Sequence, residues 1–447
     1  MKSDWPIVKL ADYCDKIGSG ATPRGGSKVY LDSGEISLVR SQNVYNHGFD
    51  YDGLVYIDEE AAEKLSNVEL EENDVLINIT GDSVARVCMV PHDVLPARVN
   101  QHVSILRPKN DSLDPQFLRY SLVNYENQYK LLAIASAGGT RKAITKGHLE
   151  DFEISLPDLN YQKKVSEILS TFDQKIHLNQ QTNETLEAMA QAIFKSWFVD
   201  FDPVRAKIEA KSAGRDHNRA ATAVITGISL DQDWDEVESA LDQKLSSMTE
   251  EQRQQLTRTT QLFPDELVES EIGVVPKGWE VRTAEEILKR FRAPKRVKKD
   301  DVEETGEVVV LEQGEGIIMG YHNQKAGFNA SPDNPHFIFG DHTCITHLVI
   351  EPFDIAPNVI PLQGEEFDSY WTYYAIRDLQ QFQEYRRHWR ELKVKEVVTP
   401  NYELDELFAE FIKPLIIKIN KNRNENLTLS QLRDTLLPKL ISGEIQI

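Results

Sequence analysis

Long apolar runs are missing from this chain of 447 residues. No stretch approaches the about 20 consecutive apolar residues of a membrane-spanning helix. The start, MKSDWPIVKLADYC, lacks the apolar core of a secretory signal. Cysteine is also scarce, because Cys14, Cys88 and Cys344 are an odd number at wide spacings and fit neither a disulfide framework nor a zinc ribbon. We therefore expect a cytoplasmic protein that is neither secreted nor membrane-bound.

Catalytic motifs are missing as well. The sequence has no Gly-rich cofactor loop with an [Asn/Asp]-Pro-Pro-[Tyr/Phe] run, as adenine methyltransferases need, and no Gly-x-x-x-x-Gly-Lys-[Ser/Thr] phosphate loop. Pro332-Asp333 with Glu391-Leu-Lys393 is a nuclease-like pattern too short to be specific. His342, Cys344 and His347 could be scanned as metal ligands, but imidazoles near a strand are more often structural. The sequence predicts no catalytic residue, no metal site and no bound cofactor.

Positive charge is in deficit overall, since the formal net charge is -22. A net negative charge argues against a phosphate-rich partner such as nucleic acid. The distribution of charge along the chain changes that conclusion. Asp50–Asp74 and Asp231–Glu280 together account for -18 of the total. Arg98–Lys146, Arg282–Lys299 and Arg377–Lys395 carry more bases than acids. An acidic chain can therefore still present basic faces.

One unit of sequence occurs twice. Residues 157–197 and 400–440 align at a constant offset of 243 residues. The identical pairs include Pro157 with Pro400, Lys175 with Lys418, Ile176 with Ile419, Asn179 with Asn422, Asn183 with Asn426, Thr185 with Thr428 and Leu186 with Leu429. The segments before the two copies also begin alike, with a Trp-x-[Ile/Val] opening at Trp5 and Trp279.

Both copies have the apolar spacing of a coiled coil, alternating between four and three residues. Each copy predicts a helix of roughly 33 residues, about 50 Å long. Two asparagines interrupt each apolar seam, and such residues usually fix helix register by bonding a polar group opposite. In an antiparallel pair Asn179 faces Asn426 and Asn183 faces Asn422. A parallel pair would match Asn179 with Asn422, but the repetition of the flanking segments favours the antiparallel arrangement.

The order along the chain is globule, helix, globule, helix. We predict an α+β fold with two globular domains separated by two long helices that form an antiparallel coiled coil. The predicted boundaries are 1–156 for the first globule, 157–201 for the first helix, 202–271 for an acidic helical linker or insertion, 272–399 for the second globule and 400–447 for the second helix.

Several stretches resemble the DNA-specificity subunit of type I restriction-modification systems, and the resemblance covers nearly the whole chain. The most specific are Leu156-Pro-Asp-Leu-Asn-Tyr-Gln162, the run from Asn183 to Val204, Gly273-Val-Val-Pro-Lys-Gly-Trp279 and Leu432-Arg-Asp-Thr-Leu-Leu-Pro-Lys-Leu-Ile-Ser-Gly-Glu444. The sequence departs from the family at Asn160-Tyr161, where Pro-x-x-Glu-Gln is common.

The resemblance implies that each globule is a target-recognition domain that reads one half of a split site in double-stranded DNA. It implies that the paired helices set the spacing and dock two methyltransferase subunits, which a restriction and translocation subunit joins. S-adenosylmethionine, ATP and magnesium would then belong to those partners, and this chain would hold no cofactor. Flipping of the methylated base would likewise occur in the methyltransferase.

On this interpretation most candidate DNA-contacting residues are Arg, Asn and Gln, which can bond base edges, or Ser, Thr and Lys, which mostly contact phosphates. In the first globule they are Thr22, Arg24, Arg40, Ser41, Gln42, Asn43, Thr80, Ser83, Arg86, Asn100, Gln101, Arg141 and Lys142. In the second they are Arg292, Lys295, Arg296, Gln313, Tyr321, His322, Asn323, Lys325, Arg386, Arg387 and Arg390.

Two other classes of function stay open at this point. A coiled-coil adaptor would join proteins without touching DNA, and basic residues confined to the far side of both globules would favour it. A nuclease or methyltransferase with an unrecognised site would show activity as an isolated chain.

Overall fold

The computed structural model describes residues 5–137, 142–314 and 316–447. The chain divides into two compact units, one formed by Met1–Asn179 with Asn424–Ile447 and the other by Gln180–Arg423. None of the helices in these described ranges combines the length and the hydropathy that crossing a bilayer requires. The two longest helices each contribute one part to each unit, so both units are built on the same pair of helices.

The α-helices are numbered along the chain. They are α1 (Leu10–Tyr13), α2 (Glu59–Lys64), α3 (Pro115–Val123), α4 (Tyr125–Ser136), α5 (Lys146–Glu150), α6 (Leu159–Phe198), α7 (Asp202–Ser212), α8 (His217–Ile225), α9 (Trp234–Ser246), α10 (Glu250–Leu262), α11 (Ala284–Ile287), α12 (Ser369–Ile376), α13 (Trp389–Leu392) and α14 (Tyr402–Ile441). Helices α6 and α14 have 40 residues each.

The strands of the first unit are β1 (Ile7–Lys9), β2 (Cys14–Ser19), β3 (Ile36–Val39), β4 (Val44–Tyr45), β5 (Gly48–Phe49), β6 (Val55–Ile57), β7 (Val75–Asn78), β8 (Val87–Met89), β9 (Ala97–Val99), β10 (Val103–Pro108) and β11 (Glu153–Ser155). Those of the second unit are β12 (Leu267–Ser270), β13 (Gly273–Pro276), β14 (Glu280–Thr283), β15 (Leu288–Arg290), β16 (Val308–Leu311), β17 (Ile318–His322), β18 (Phe328–Asn329), β19 (His336–Gly340), β20 (Thr346–Val349), β21 (Pro352–Ile355), β22 (Val359–Gly364) and β23 (Glu396–Thr399).

The first unit has two main sheets, in the orders β2-β10-β7-β8 and β6-β3-β9. Successive side chains of a strand point to opposite faces, and β7 shows the result. Val75 and Ile77 enter the core that includes α3 and α6, whereas Leu76 enters a second core shared with β3 and β9. The four-stranded sheet is therefore buried on both faces, which explains the continuous apolar run of β7.

The second unit repeats this plan. Its sheets have the orders β15-β22-β19-β20 and β17-β16-β21-β18, so β15, β22, β19 and β20 take the places of β2, β10, β7 and β8. The parallel pair β16 and β21 corresponds to β3 and β9. In both units a short strand pair closes the globule, β1 with β11 and β14 with β23. The duplication visible in the helices thus extends to the sheets.

Helices α7 to α10 form a folded segment of the second unit with small apolar cores of their own. Lys207 is buried there and its Nζ donates to the carbonyl oxygen of Phe263 at 2.7 Å. Burial lowers the pKa of Lys207 to about 8. Gln255 of α10 bonds Glu410 of α14 at 2.9 Å, so this segment also contacts the long helix.

The long helices pair antiparallel, as predicted. In the first unit Asn179 Nδ2 donates to Asn426 Oδ1 at 2.8 Å. In the second unit Asn422 Nδ2 donates to Asn183 Oδ1, also at 2.8 Å. Asn179 and Asn422 are buried, so each needs a polar partner. A parallel pair would instead match Asn179 with Asn422, so the observed bonds decide the direction.

Equivalent residues near the start of each long helix hold the next helix of the same unit. Gln162 Oε1 of α6 accepts the backbone N–H of Asp114, the N-cap of α3, at 2.8 Å. Asp405 Oδ2 of α14 accepts the backbone N–H of Asp368, the N-cap of α12, at 2.6 Å. Gln162 and Asp405 are 243 residues apart, which is the offset of the repeat. Each long helix therefore fixes the helix that packs on its sheet.

Three local features of the helices are not obvious from the sequence pattern. Asn124 has an extended backbone and separates α3 from α4, although the apolar pattern continues past it. Helix α12 ends at Ile376. Pro414 lies in the interior of α14, a position in which proline removes a backbone hydrogen bond.

We predict that Asn179→Leu with Asn426→Leu stabilises the helix pair but loosens its register, because a polar layer is replaced by apolar packing. Asn179→Leu alone removes the donor to Asn426 Oδ1 and should lower the free energy of unfolding by about 1–3 kcal/mol. Chemical denaturation measures stability, and amide hydrogen exchange along α6 and α14 reports register. Equal destabilisation by the single and double variants would contradict the paired layer.

Asp405 makes the stability of the second unit depend on pH. Burial, followed by the nearby Asp368 and Glu406 carboxylates, raises the pKa of Asp405 to about 7. Because the folded state holds this proton more tightly than an unfolded aspartate, stability should fall as pH rises from about 4 to about 7. The total loss of stability amounts to about 1.4 kcal/mol for each unit by which the pKa of Asp405 differs between the folded and unfolded states.

Asp405→Gln should remove this dependence and stabilise the protein at pH 8, since Gln162 makes the same bond without a charge. Tryptophan fluorescence during denaturation at pH 4.5 and pH 8 measures the stability of the second unit, because five of the six tryptophans lie in that unit. Gln162→Ala serves as the control for the first unit. A variant that is less stable at both pH values would refute the interpretation.

Candidate nucleic-acid interface

One edge of the first unit gathers the ends of several strands. Ser19 at the end of β2 pairs with Ser104, and Asn78 at the end of β7 pairs with Val103, so both strands end where β10 begins. The parallel strands β3 and β9 end beside each other at the same place. Backbone bonds join the two sheets there, since Asn100 N donates to the carbonyl of Val39. We call this the first loop edge; it comprises residues 20–24, 40–43, 79–86, 100–102 and 142.

The candidate residues of the first globule therefore meet at one edge, although they are spread over more than 100 residues of sequence. Thr22, Arg24 and Lys142 are exposed there, and Lys142 is tied to the edge because its carbonyl accepts the N–H of Gly81. Ser41 is joined to the neighbouring strand through its carbonyl, which accepts Asn78 Nδ2 at 2.7 Å. Arg141 lies outside the described residues.

Gly20 allows the first of these loops to pack on the edge. A Cβ added at Gly20 would lie 1.7 Å from the carbonyl oxygen of Val99. No side chain fits in that space, because real Cβ atoms do not approach backbone this closely. The loop that carries Thr22 and Arg24 is thereby held against the turn that carries Asn100.

Two candidates of the first globule have internal roles. Asn43 is fully buried, and its Nδ2 donates to the carbonyls of Asp50 at 2.9 Å and Asp52 at 3.2 Å. Asn100 is 5% exposed, and its Oδ1 accepts the N–H of His102 at 3.0 Å. Their hydrogen-bonding capacity stabilises the loops. Their order in the sequence gave no sign of this, because burial depends on the other strands.

Other candidates are held in place but keep polar groups at the surface. Arg40 donates to the carbonyl of Gly53 and lies over the ring of Tyr30, 5.4 Å from its centroid. Exposed Gln42 donates to the same carbonyl at 3.3 Å. The guanidinium of Arg86 stacks on Tyr45 at 4.3 Å. Stacking of this kind orients an arginine while leaving N–H groups free to donate.

Sequence reasoning missed His102. Thr80 Oγ1 lies 2.6 Å from His102 Nδ1, and Gln101 Nε2 lies 2.9 Å from His102 Nε2. The imidazole thus connects two candidate residues from different loops and fixes their side chains. Its position next to Gln101 was the only sequence signal available. His102 is a positioning residue in this arrangement.

The second unit has an equivalent edge. Strands β15, β16, β19 and β21 end there, and β20 and β22 begin there. Gln313 follows β16, and its Oε1 accepts the N–H of His342 at 3.0 Å. Arg296 Nη1 donates to the carbonyls of Ala356 and Val359, at 3.1 and 3.0 Å. We call this the second loop edge; it comprises residues 296, 312–314, 341–344, 356–358 and 385–390.

The arginine-rich segment before α13 is attached to this second loop edge. Asp341 Oδ1 accepts the N–H of Trp389 at 3.0 Å, and the Asp341 carbonyl accepts that of His388 at 2.7 Å. Arg387 is exposed, with its Nε 3.8 Å from Asp341 Oδ2. Arg386 pairs with Glu391 at 2.7 Å. Arg390 is exposed on α13.

The remaining candidates of the second globule do not belong to that edge. His322 Nε2 lies 2.9 Å from Asp354 Oδ2, and both side chains are buried. Lys295 Nζ lies 3.4 Å from the same carboxylate. Strand β17 runs antiparallel to β16, so its end is at the start of β16. Tyr321, Asn323 and Lys325 therefore lie with His322 away from Gln313, and Arg292 is exposed in the segment that follows β15.

A cavity of about 420 Å³ in the first unit is lined by Arg119, Arg433 and Tyr120, among others. Asp173 Oδ2 accepts from Arg119, and Asp173 Oδ1 accepts from Arg433 at 2.7 Å. Burial alone would raise the pKa of Asp173, but the two guanidinium groups and the Tyr120 hydroxyl hold it below its usual range. The carboxylate is therefore kept charged as a structural link between helices.

No cluster of three or more His, Cys, Asp or Glu side chains suited to a metal ion occurs in the residues that the structure describes. His347 is partly buried, and loss of hydration together with the nearby charge of Arg423 lowers its pKa to about 3. Burial raises the pKa of the Cys344 thiol to about 11. A neutral imidazole and an unreactive thiol are typical of structural residues.

Comparison with known proteins finds similarity to specificity subunits of type I restriction enzymes. Residues 2–188 match the family model described as type I restriction modification DNA specificity domain. The type I restriction enzyme HindI specificity subunit of Haemophilus influenzae is 28% identical over 99% of this chain and 100% of its own length. The MjaIX specificity subunit of Methanocaldococcus jannaschii is 23% identical over 99% of this chain and 94% of its own.

A solved structure supports the fold. The type I restriction-modification S subunit from M. genitalium aligns with a TM-score of 0.54 at 15% identity, covering 98% of this chain and 96% of that chain. At this identity the likeness concerns architecture alone.

We predict that Gly20→Ala displaces the loop with Thr22 and Arg24, because the added methyl group would meet the Val99 carbonyl. The cost should be about 1–3 kcal/mol, as for other overpacked sites. Gly18→Ala is the matched control, since nothing lies within 4 Å of its added Cβ. Hydrogen exchange and limited proteolysis of residues 18–28 measure the effect. Equal protection in both variants would contradict it.

Proposed function

We propose that this chain is a DNA-specificity subunit of a type I restriction-modification system, as its similarity to such subunits supports. Each of its two loop edges reads one half of a bipartite target in double-stranded DNA. The chain itself is the non-catalytic DNA-recognition subunit of the system. The proposed target-recognition domains are residues 1–156 and 272–399, and the proposed helical segments are 157–201 and 400–447, with 202–271 as an insertion.

One observation carries the proposal for the loop edges. Candidate residues from five separate segments of the first globule meet at a single edge, with Thr22, Arg24, Gln42 and Lys142 exposed. Phosphate contacts fix register on the duplex, and Arg, Asn and Gln can bond base edges. The second unit repeats the edge with Gln313 and the exposed Arg387. A duplicated recognition surface fits a target with two halves.

The net charge of -22 is compatible with this function. Part of the acidic excess lies on α9, which carries four acidic residues and one lysine and belongs to the helical segment, not to a loop edge. Local positive charge, not the total, determines contact with phosphates. A protein adaptor that never touches DNA would not need exposed cations at both loop edges.

We further infer that the partners are two methyltransferase subunits docked on the paired helices, with a restriction and translocation subunit joining them in the cytoplasm. S-adenosylmethionine, ATP and magnesium would be bound by those partners. The absence from the sequence of a cofactor loop and a phosphate loop supports this division.

The test exchanges residues 1–156 for the corresponding domain of another family member and maps modified bases in DNA from cells that also contain the methyltransferase. We expect one half of the recognised site to change while the other half and the spacing stay constant, since base contacts belong to each globule. Arg258→Ala, at an exposed position of α10, is the control and should leave the motif unchanged. If both halves change, or neither does, the proposed division is wrong.

A further inference from the structure

His342 has an unusual environment at the second loop edge. Both imidazole nitrogens are inaccessible to solvent, and neither has a hydrogen-bond partner among the residues that the structure describes. Leaving a buried polar group unpaired costs about 1–3 kcal/mol. A side chain with two such atoms is not explained by the stability of the fold, so a partner from outside the chain is the simplest account.

The position of His342 in the fold agrees with such a partner. It lies in the turn between β19 and β20, and these strands correspond to β7 and β8 of the first unit. The turn between β7 and β8 contains Thr80, Ser83 and Arg86. His342 is therefore the structural counterpart of a recognition loop, although its sequence neighbours suggested only a weak metal-like pattern.

The neighbours of His342 are suited to DNA. Gln313 accepts the His342 N–H through Oε1, which leaves its NH₂ group to donate. The Tyr385 ring packs on the imidazole, with the two centroids 4.7 Å apart. Tyr385 itself is 76% exposed, so little holds its ring over His342. Arg387 adds an exposed positive charge beside Asp341.

We propose that His342 contacts a base edge in the half-site read by the second unit, with Tyr385 covering the imidazole until DNA displaces it. This inference rests on the proposed function. The imidazole can donate to guanine O6 or N7, or accept from an exocyclic amine, and the Gln313 amide lies next to it for a second contact. Arg387 would contact the DNA phosphate backbone, which carries the same charge whatever the base sequence.

The experiment uses the full chain assembled with its methyltransferase. His342→Phe keeps the ring and removes both nitrogens, and His92→Phe is the control because His92 follows β8 and is exposed at the end of the first unit opposite its loop edge. Modified-base mapping gives the recognised motif. Binding is measured with the duplex that the wild-type protein recognises and with variants of each half-site position.

We expect His342→Phe to relax one position of one half-site, to weaken binding to the wild-type target about 10- to 100-fold, as for loss of one base contact, and to leave the melting temperature unchanged or higher. An unchanged motif and affinity would overturn the inference. An equal loss on every sequence would also overturn it, since that is the signature of a phosphate contact. If wild-type protein specifies no motif at all, the proposed function itself fails.

A second measurement does not depend on the stability of that variant. Carbethoxylation of His342 by diethyl pyrocarbonate, followed by mass spectrometry, should be slow in the wild-type protein and faster in Tyr385→Ala. Duplex containing the target should protect His342 in Tyr385→Ala at least several-fold, whereas a scrambled duplex should not. Equal rates with both duplexes would refute the base contact.

Discussion

The antiparallel pairing of α6 and α14 is the constraint on which the rest of the structure depends, because each unit needs residues of both helices to complete its core. The core of the first unit contains Val165 and Leu169 from α6 together with Leu437 and Leu440 from α14. The large core of the second unit contains Trp197 and Phe198 from α6 together with Phe408 and Ile412 from α14. Neither globule can therefore bury its apolar face with one long helix alone.

This dependence explains why polar residues are retained in the helix interface. A helix pair held only by leucine and isoleucine could slide by one turn, since apolar contacts are not directional. A slip would separate Asn179 from Asn426 and leave both without partners. The asparagine bonds therefore fix the register on which both cores rely, at some cost in stability. Gln162 and Asp405 hold the N-terminal ends of α3 and α12, the helices that pack on the sheets, at fixed positions along α6 and α14.

The first and second loop edges have the same strand topology but different polar side chains. At the first loop edge Asn43 and Asn100 are bonded internally, and His102 links Thr80 to Gln101, so the side chains are positioned before any ligand arrives. Such preorganisation reduces the entropy that binding must overcome. At the second loop edge the two imidazole nitrogens of His342 have no hydrogen-bond partner among the residues that the structure describes. The two units thus share a topology but differ in the polar groups at their loop edges, and the proposed reading of two different half-sites requires such a difference.

The sequence by itself determined the helices, the duplication and the asparagine layers, because apolar spacing and repetition are properties of consecutive residues. It also placed most first-globule candidates on loops that follow strands. Tertiary structure alone decided that Asn43 is buried, that Asn124 divides α3 from α4, and that His322 and Lys325 lie apart from Gln313. The physical reason is that burial and proximity depend on which strands pair and in which direction. The antiparallel run of β17 beside β16 moves its last residues to the other end of the sheet, and no local pattern in the sequence records that pairing.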